Sequence, residues 1–241
     1  MKQLFSLFFY LLLFNSDRIY AQMADSTISG MEKKTISLFR TKIAEAQGLY
    51  NGVEEPGYSK DTVGNPYFFF NHLEPGSVGY DGIRYENIPM MYDLTRESLI
   101  IKYLGAPIWI RLLNSKLDSF TLAGHHFIKI TAKDSIPSLK EGLYDRLYSG
   151  SASLLARRYA SFQQVIVDDR VKNRVDSKVA YYIVRDKTAY PVSSAKSALR
   201  LMSDKGEIRS YLRKNKVRFR KDKEKYLKTV VSYQDTRHSP I

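Results

Sequence analysis

Residues 77–131 read SVGYDGIRYENIPMMYDLTRESLIIKYLGAPIWIRLLNSKLDSFTLAGHHFIKIT. Short runs of β-branched and aromatic residues alternate with turn residues at nearly even spacing. Asp81-Gly82 sits between Val78-Gly79-Tyr80 and Ile83-Arg84-Tyr85. That dipeptide favours the tight turn whose twist matches paired strands. A strand continues over 87–92. Thr95-Arg96-Glu97 then turns into 98–101, Gly105-Ala106-Pro107 into 108–110, and Asn114-Ser115-Lys116 into 117–122, while Gly124 precedes 125–131. Strands this close in sequence leave no room for the helical crossovers of a parallel sheet. The expectation is an α+β chain, mainly an antiparallel β meander that closes as a barrel or packs as a sandwich.

Downstream, 143–147 and 153–158 flank Tyr148-Ser149-Gly150, and 179–184 and 188–192 flank Arg185-Asp186-Lys187. Both read as hairpins. Between them, 161–177 is charged and weakly patterned, and reads either as a long loop or as a projecting hairpin. The tail reads as helical. Ser193-Ser194 can cap a helix over 195–202. Asp204 and Glu207 match a capping box with Asp in the first place, and Asn215 stops that second helix. Asp222 can cap a third, in which Tyr226, Leu227, Val230 and Val231 share a face. Helices this short are marginal alone in water and need a surface to pack on.

Upstream, Ile36, Phe39, Ile43, Ala46 and Tyr50 recur at helical spacing, so 35–50 reads as an amphipathic N-terminal helix ended by Asn51-Gly52. A polar loop covers 54–65. Pro66 opens Tyr67-Phe68-Phe69-Phe70, read as a strand buried on at least one face. The first residues form a leader. Lys2 supplies the positive end, 4–14 is apolar except for Ser6, and Tyr20-Ala21-Gln22 closes a short polar exit. The apolar run is about half the roughly 20 residues that span a bilayer, which fits a signal peptide over 1–22, cleaved near Ala21 or Gln22. The expected organisation is therefore a signal peptide (1–22), a β-rich domain with its N-terminal helix (23–195), and a basic helical segment on the same domain (196–241).

The chain has 241 residues, no cysteine and a formal net charge of +13. Without Cys an exported protein has no disulfides and no thiol for a lipid, so its core must hold itself together. A hydrophobic fraction of 44% suffices for such a core and argues against disorder. The charge is uneven. Residues 196–241 carry fourteen Lys/Arg against five Asp/Glu, whereas the body is nearly balanced.

Candidate chemistry is sparse. His125 and His126 are adjacent, but neighbours on a strand point to opposite faces, so one ring packed in and one in solvent is expected rather than a metal pair. Ser149-Gly150-Ser151 lacks the nucleophile elbow and reads as a turn. Asp168-Asp169, and Asp81 with Asp93, are carboxylates better explained by turns, with Asp93 satisfying backbone groups at a strand end. Gly76, Gly79 and Gly82 lie between strands and make no phosphate cradle. Tyr67, Phe68, Phe69, Phe70, Tyr80, Tyr85 and Trp109 would line a cavity if the sheet closed, and otherwise form an aromatic core. No cofactor, metal or catalytic residue is expected. The run Lys214-Asn215-Lys216-Val217-Arg218-Phe219-Arg220-Lys221 interleaves cations with one ring. The leader argues against nucleic acid as its partner. Lys214, Lys216, Arg218, Arg220 and Lys221 are the candidate contacts for an anionic partner, set against a plain solvated face.

The runs Leu49-Tyr50-Asn51-Gly52, Gly64-Asn65-Pro66-Tyr67-Phe68, Gly76-Ser77-Val78-Gly79-Tyr80-Asp81-Gly82, Tyr85-Glu86-Asn87-Ile88 and Tyr92-Asp93 follow one another in order. With Gly142-Leu143-Tyr144-Asp145 and Tyr211-Leu212-Arg213-Lys214-Asn215, this pattern resembles a family of uncharacterised exported proteins of Bacteroidetes-type bacteria. The resemblance implies one intact domain and a periplasmic or envelope location, and it carries over no catalytic residue. The expected function is that of a non-enzymatic envelope protein that binds a protein partner or surface component, with peripheral membrane contact allowed. The alternative is a carrier holding an apolar ligand inside a closed sheet.

Overall fold

Four tight turns set the sheet. At Asp81-Gly82, Ala123-Gly124, Asp168-Asp169 and Asp186-Lys187 both central residues have positive φ. That combination is the type I′ turn, whose twist suits antiparallel strands. These turns join β3 (Glu74–Tyr80) to β4 (Ile83–Asp93), β7 (Leu117–Leu122) to β8 (His125–Ile130), β10 (Ser153–Val167) to β11 (Arg170–Arg185), and β11 to β12 (Thr188–Val192). The coordinates are those of a computed structural model that describes Thr35 and residues 48–104 and 106–238. Contacts divide the chain after residue 49, and the account that follows concerns residues 50–241.

β1 (Val53–Glu54), β2 (Thr62–Val63), β5 (Ser98–Lys102), β6 (Trp109–Arg111) and β9 (Gly142–Ser149) complete a twelve-stranded sheet. Its order is β1-β6-β5-β4-β3-β7-β8-β9-β10-β11-β12, antiparallel throughout, with β2 alone lying parallel to β11. The path has two ends. The expected closure as a barrel does not occur, because the row stops at the two residues of β1 and at β12, and no ladder joins them. The closed-sheet cavity proposed for an apolar ligand therefore has no walls. Tyr67, Phe68 and Tyr80 are core residues instead, while Phe69 and Phe70 are exposed.

Residues 161–177 form the projecting hairpin. The ladder runs unbroken from Ser153↔Val184 to Val167↔Arg170. The aromatic run 67–70 is not the expected strand. It makes one isolated bridge, Tyr67↔Asp93, and then turns away at Phe69, whose φ is +59°. The signal peptide and nearly all of the helix expected over 35–50 lie outside the described residues.

Three helices follow the sheet: α1 (Ala195–Arg200), α2 (Lys205–Lys214) and α3 (Lys223–His238). Ser194 caps α1 by accepting from the Ser197 backbone N–H, and Asp222 accepts from the Lys225 N–H at 2.9 Å to start α3. The Asp204 side chain does not cap α2, contrary to the capping-box expectation. One core joins helices to strands. Ala198 and Leu199 of α1, Ile208 and Leu212 of α2, and Leu227, Val230 and Val231 of α3 are buried with Leu154, Ile183 and Val192. Each short helix is thus held by packing on the sheet rather than by its own propensity. Among the described residues no helix is long and apolar enough to cross a membrane.

A second knot holds the leading loop to the β4–β5 turn. Asp93, fully buried, accepts the backbone N–H groups of Thr95 (2.8 Å) and Arg96 (3.0 Å) and the hydroxyl of Tyr58 (2.6 Å). Arg96 bridges from it to the buried Glu55 at 2.6 Å. The expected backbone role of Asp93 is what its geometry serves.

Candidate functional site

The C-terminus of α2 creates the first feature. Its exit is a Schellman motif: Val217 N–H donates to Leu212 O at 2.9 Å, and Lys216 N–H donates to Arg213 O at 3.1 Å. The residue between them, Lys216, has φ +54°, where glycine is the usual occupant. The chain reverses sharply there and brings Arg218 back beside α2. Arg209, Arg213, Lys216 and Arg218 then surround a recess of about 270 Å³ floored by Leu212, Val217 and Tyr226. Burial pushes the Tyr226 phenol up in pKa, with the Arg209 guanidinium pulling the other way.

Of the five cations singled out from sequence, Lys216 and Arg218 border this recess. Lys214 borders a neighbouring shallow groove with Arg209, Tyr211 and Tyr233. Arg220 and Lys221 are exposed and border neither. Arg209 and Arg213 were missed because they precede the basic run. Their four-residue spacing on one helix was the available signal. None of these seven cations takes part in an ion pair among the described residues. Phe219 does not present its ring to a partner. It packs edge-on against Tyr226 with centroids 5.4 Å apart.

The second feature lies where α3 begins against β8 and β9. Asp145 is 1% exposed. Its Oδ2 accepts from Arg158 Nε (2.9 Å), from the Arg158 terminal guanidinium nitrogen (2.6 Å) and faces His125 Nδ1 at 2.7 Å. Arg158 also meets Glu224 at 2.8 Å, and Tyr181 donates to the same carboxylate at 3.1 Å. Burial draws the Arg158 pKa down, but Asp145 and Glu224 more than offset this and leave it raised. Burial and Glu224 push the Tyr181 phenol well above its ordinary value. Two strands and a helix are thereby tied through one buried arginine, and a buried carboxylate deprived of that partner would be costly.

A polar cleft of about 370 Å³ opens on this cluster. His125 and His126 both border it and both are half-buried, so the expected split of one packed and one solvated ring is not what occurs. The cleft lies beside the Ala123-Gly124 turn, where the sheet ends and residues of both faces reach the same space. His126 hydrogen-bonds to Thr121 across the ladder at 3.2 Å, and His125 packs against the rings of Phe68 and Phe69. Among the described residues no group of three or more His, Asp or Glu is placed to hold a metal ion.

Compared with protein-family models, with curated proteins and with solved structures, the chain matches none.

Proposed function

We propose that this is an exported, non-enzymatic envelope protein that docks an anionic partner on its C-terminal helical segment. One observation carries the reading. Arg209, Arg213, Lys216 and Arg218 converge on a single recess with an apolar floor, and among the described residues none of them forms an ion pair. Like charges gathered in a concave, partly apolar surface raise the local potential and attract an anion. The leader supports export. The helices that carry the recess belong to the same core as the sheet, so the surface is rigidly presented.

The test uses the mature chain and a variant with Arg209, Arg213, Lys216 and Arg218 each changed to Gln. All four are exposed, so the fold should persist. Cross-linked capture from the native envelope should recover one dominant partner with the parent chain. That partner should be lost with the variant and reduced at high salt. Equal recovery by both chains would refute the reading.

A further inference from the structure

We propose that the projecting half of β10, residues 161–167, pairs edge to edge with the same strand of a second copy of this chain, antiparallel about a two-fold axis at Gln164. An open row of backbone groups, guards on the other margins of the sheet and the self-complementarity of seven residues support it.

The register of the hairpin fixes which groups face outward. β9 pairs with β10 only over residues 153–156. Farther along, the Ala160 N–H donates to Leu94 O at 2.9 Å, so the polar edge of Ala160 points away from β11. Backbone direction alternates along a strand with a period of two. The N–H and C=O of Phe162, Gln164 and Ile166 therefore face the same way as those of Ala160. Among the described residues these groups meet no partner. The far side of the hairpin agrees. Asn173, cross-strand from Gln164, turns its own N–H outward to Asp61 O at 3.0 Å.

Elsewhere the margins of the sheet are blunted. On β12 the outward positions are Ala189, whose N–H is taken by Ser138 Oγ at 3.0 Å, and Pro191, which has no N–H. β1 has only two residues. The outer side of β4 before Met90 carries Arg84, Glu86 and Pro89. β11 carries Arg170, Lys172, Arg174, Asp176 and Lys178. Short strands, proline and charge are the usual guards against edge pairing. The run Ser161-Phe162-Gln163-Gln164-Val165-Ile166-Val167 has neither charge nor proline. In a chain of net charge +13, the open edge is spared while its cross-strand neighbours are charged.

The run is also complementary to itself. An axis at Gln164 sets Phe162 opposite Ile166 of the second copy, and Gln164 opposite Gln164. All outward N–H and C=O groups of the three residues then find partners. A register shifted toward the turn sets Phe162 against Asp168. A shift the other way sets Ile166 against Ala160, whose N–H is already taken. Side chains fit the same axis. Phe162, Gln164 and Ile166 share a face, on which Ile166 is 77% exposed and Phe162 packs edge-on against Tyr58 with centroids 5.3 Å apart. Pairing lays each Ile166 beside the other copy's Phe162, lets the Gln164 amides bond across the axis and brings no like charges together. Left bare, an uncharged β-prone edge is an aggregation hazard. A two-fold closes it, and the guarded margins stop growth at two copies. The contact is small for an interface, so the dimer is weak.

The experiment is sedimentation of the mature chain from about 1 to about 200 μM, which should show a monomer–dimer equilibrium. Both copies are cationic, so raised salt should tighten the dimer. Salt should weaken the docking proposed for the helical recess, and the two readings therefore fail separately. Gln164→Pro removes an N–H that faces away from β11. It should weaken the dimer at least about tenfold while the unfolding midpoint of dilute protein holds. Gln164→Lys changes an exposed side chain only and sets like charges across the axis, with the same effect expected on the dimer. The chain has no cysteine, so single thiols report the register. Gln164→Cys places two Cα atoms about 5.5 Å apart, within disulfide reach, and should cross-link under mild oxidation. Ile166→Cys leaves its copies roughly 14 Å apart and should cross-link only when mixed with Phe162→Cys. A monomer at every concentration would overturn the proposal, as would a dimer that Gln164→Pro leaves intact or Gln164→Cys chains that stay unlinked. Capture of a foreign strand by a photo-cross-linker at position 164 in the native envelope, with no homodimer, would overturn it in favour of another occupant.

Discussion

The carboxylate of Asp235 holds Ser151 twice. It accepts the Ser151 backbone N–H at 3.0 Å through Oδ2 and the Ser151 hydroxyl through Oδ1. The last helix is thus fastened to the tip of the β9–β10 hairpin. A Cβ built on Gly150 would fall 1.8 Å from Asp235 Oδ2, so only glycine fits beside the latch. Asp235→Ala should cost roughly 2–3 kcal/mol, the range for hydrogen bonds to a buried charged group. Gly150→Ala should cost a similar amount by pushing the same carboxylate aside. Urea denaturation of both single variants and the double tests this, and a double no worse than either single confirms one shared interaction.

Lys216 sits where the backbone favours glycine. Lys216→Gly should therefore raise stability by about 1 kcal/mol. It also removes one cation from the recess, so affinity for the proposed anionic partner should fall while the unfolding midpoint rises. Measuring both on the same preparation separates a structural lysine from a binding one.

Asp93 is the keystone of the leading loop. Asp93→Ala strips an acceptor from Tyr58, Thr95 and Arg96 at once and leaves half-buried donors without it. A loss of roughly 3–4 kcal/mol is expected in chemical denaturation. Asp93→Asn keeps the shape and should lose less.

His126 gives the fold an acid weakness. Burial holds its pKa below the ordinary value of 6.5. The unfolded chain therefore takes up a proton on this ring first as pH falls. The stability tied to the neutral ring is full above about 6.5 and drains away as pH drops toward the folded value. The melting temperature should fall between pH 7 and pH 5, and His126→Gln should lessen that fall.

Turn chemistry made much of the sheet legible. Asp81-Gly82 carries its φ requirement in its own side chains, and Asp186-Lys187 lies between two patterned strands. The aromatic run 67–70 misled because hydrophobicity records burial and not backbone conformation. Phe68 goes inward, while its neighbour is held out by a γ-turn that no propensity marks. Closure was not legible either, since it depends on whether β1 meets β12, and no local pattern encodes that. At the sites, the basic run was visible as charge, but Arg209 and Arg213 join it only once the α2 exit bends the chain back. The Asp145–Arg158–Glu224 cluster draws on a strand, its neighbour and a helix far along the chain. Each residue alone looks like an ordinary surface charge.

The strand order has a consequence for how the chain reaches this state. Eight of the eleven ladders join strands consecutive in sequence, and the exceptions are β1–β6, β3–β7 and β2–β11. Loop closure for the majority costs little entropy, so most of the sheet can zip up hairpin by hairpin. A chain synthesised from its N-terminus can pair most strands with one delivered just before. Asp235 must wait for nearly the whole chain before it finds Ser151, 84 residues back. Its latch closes after the sheet exists, and a chain halted before that point would emerge with the apolar face of its last hairpins uncovered.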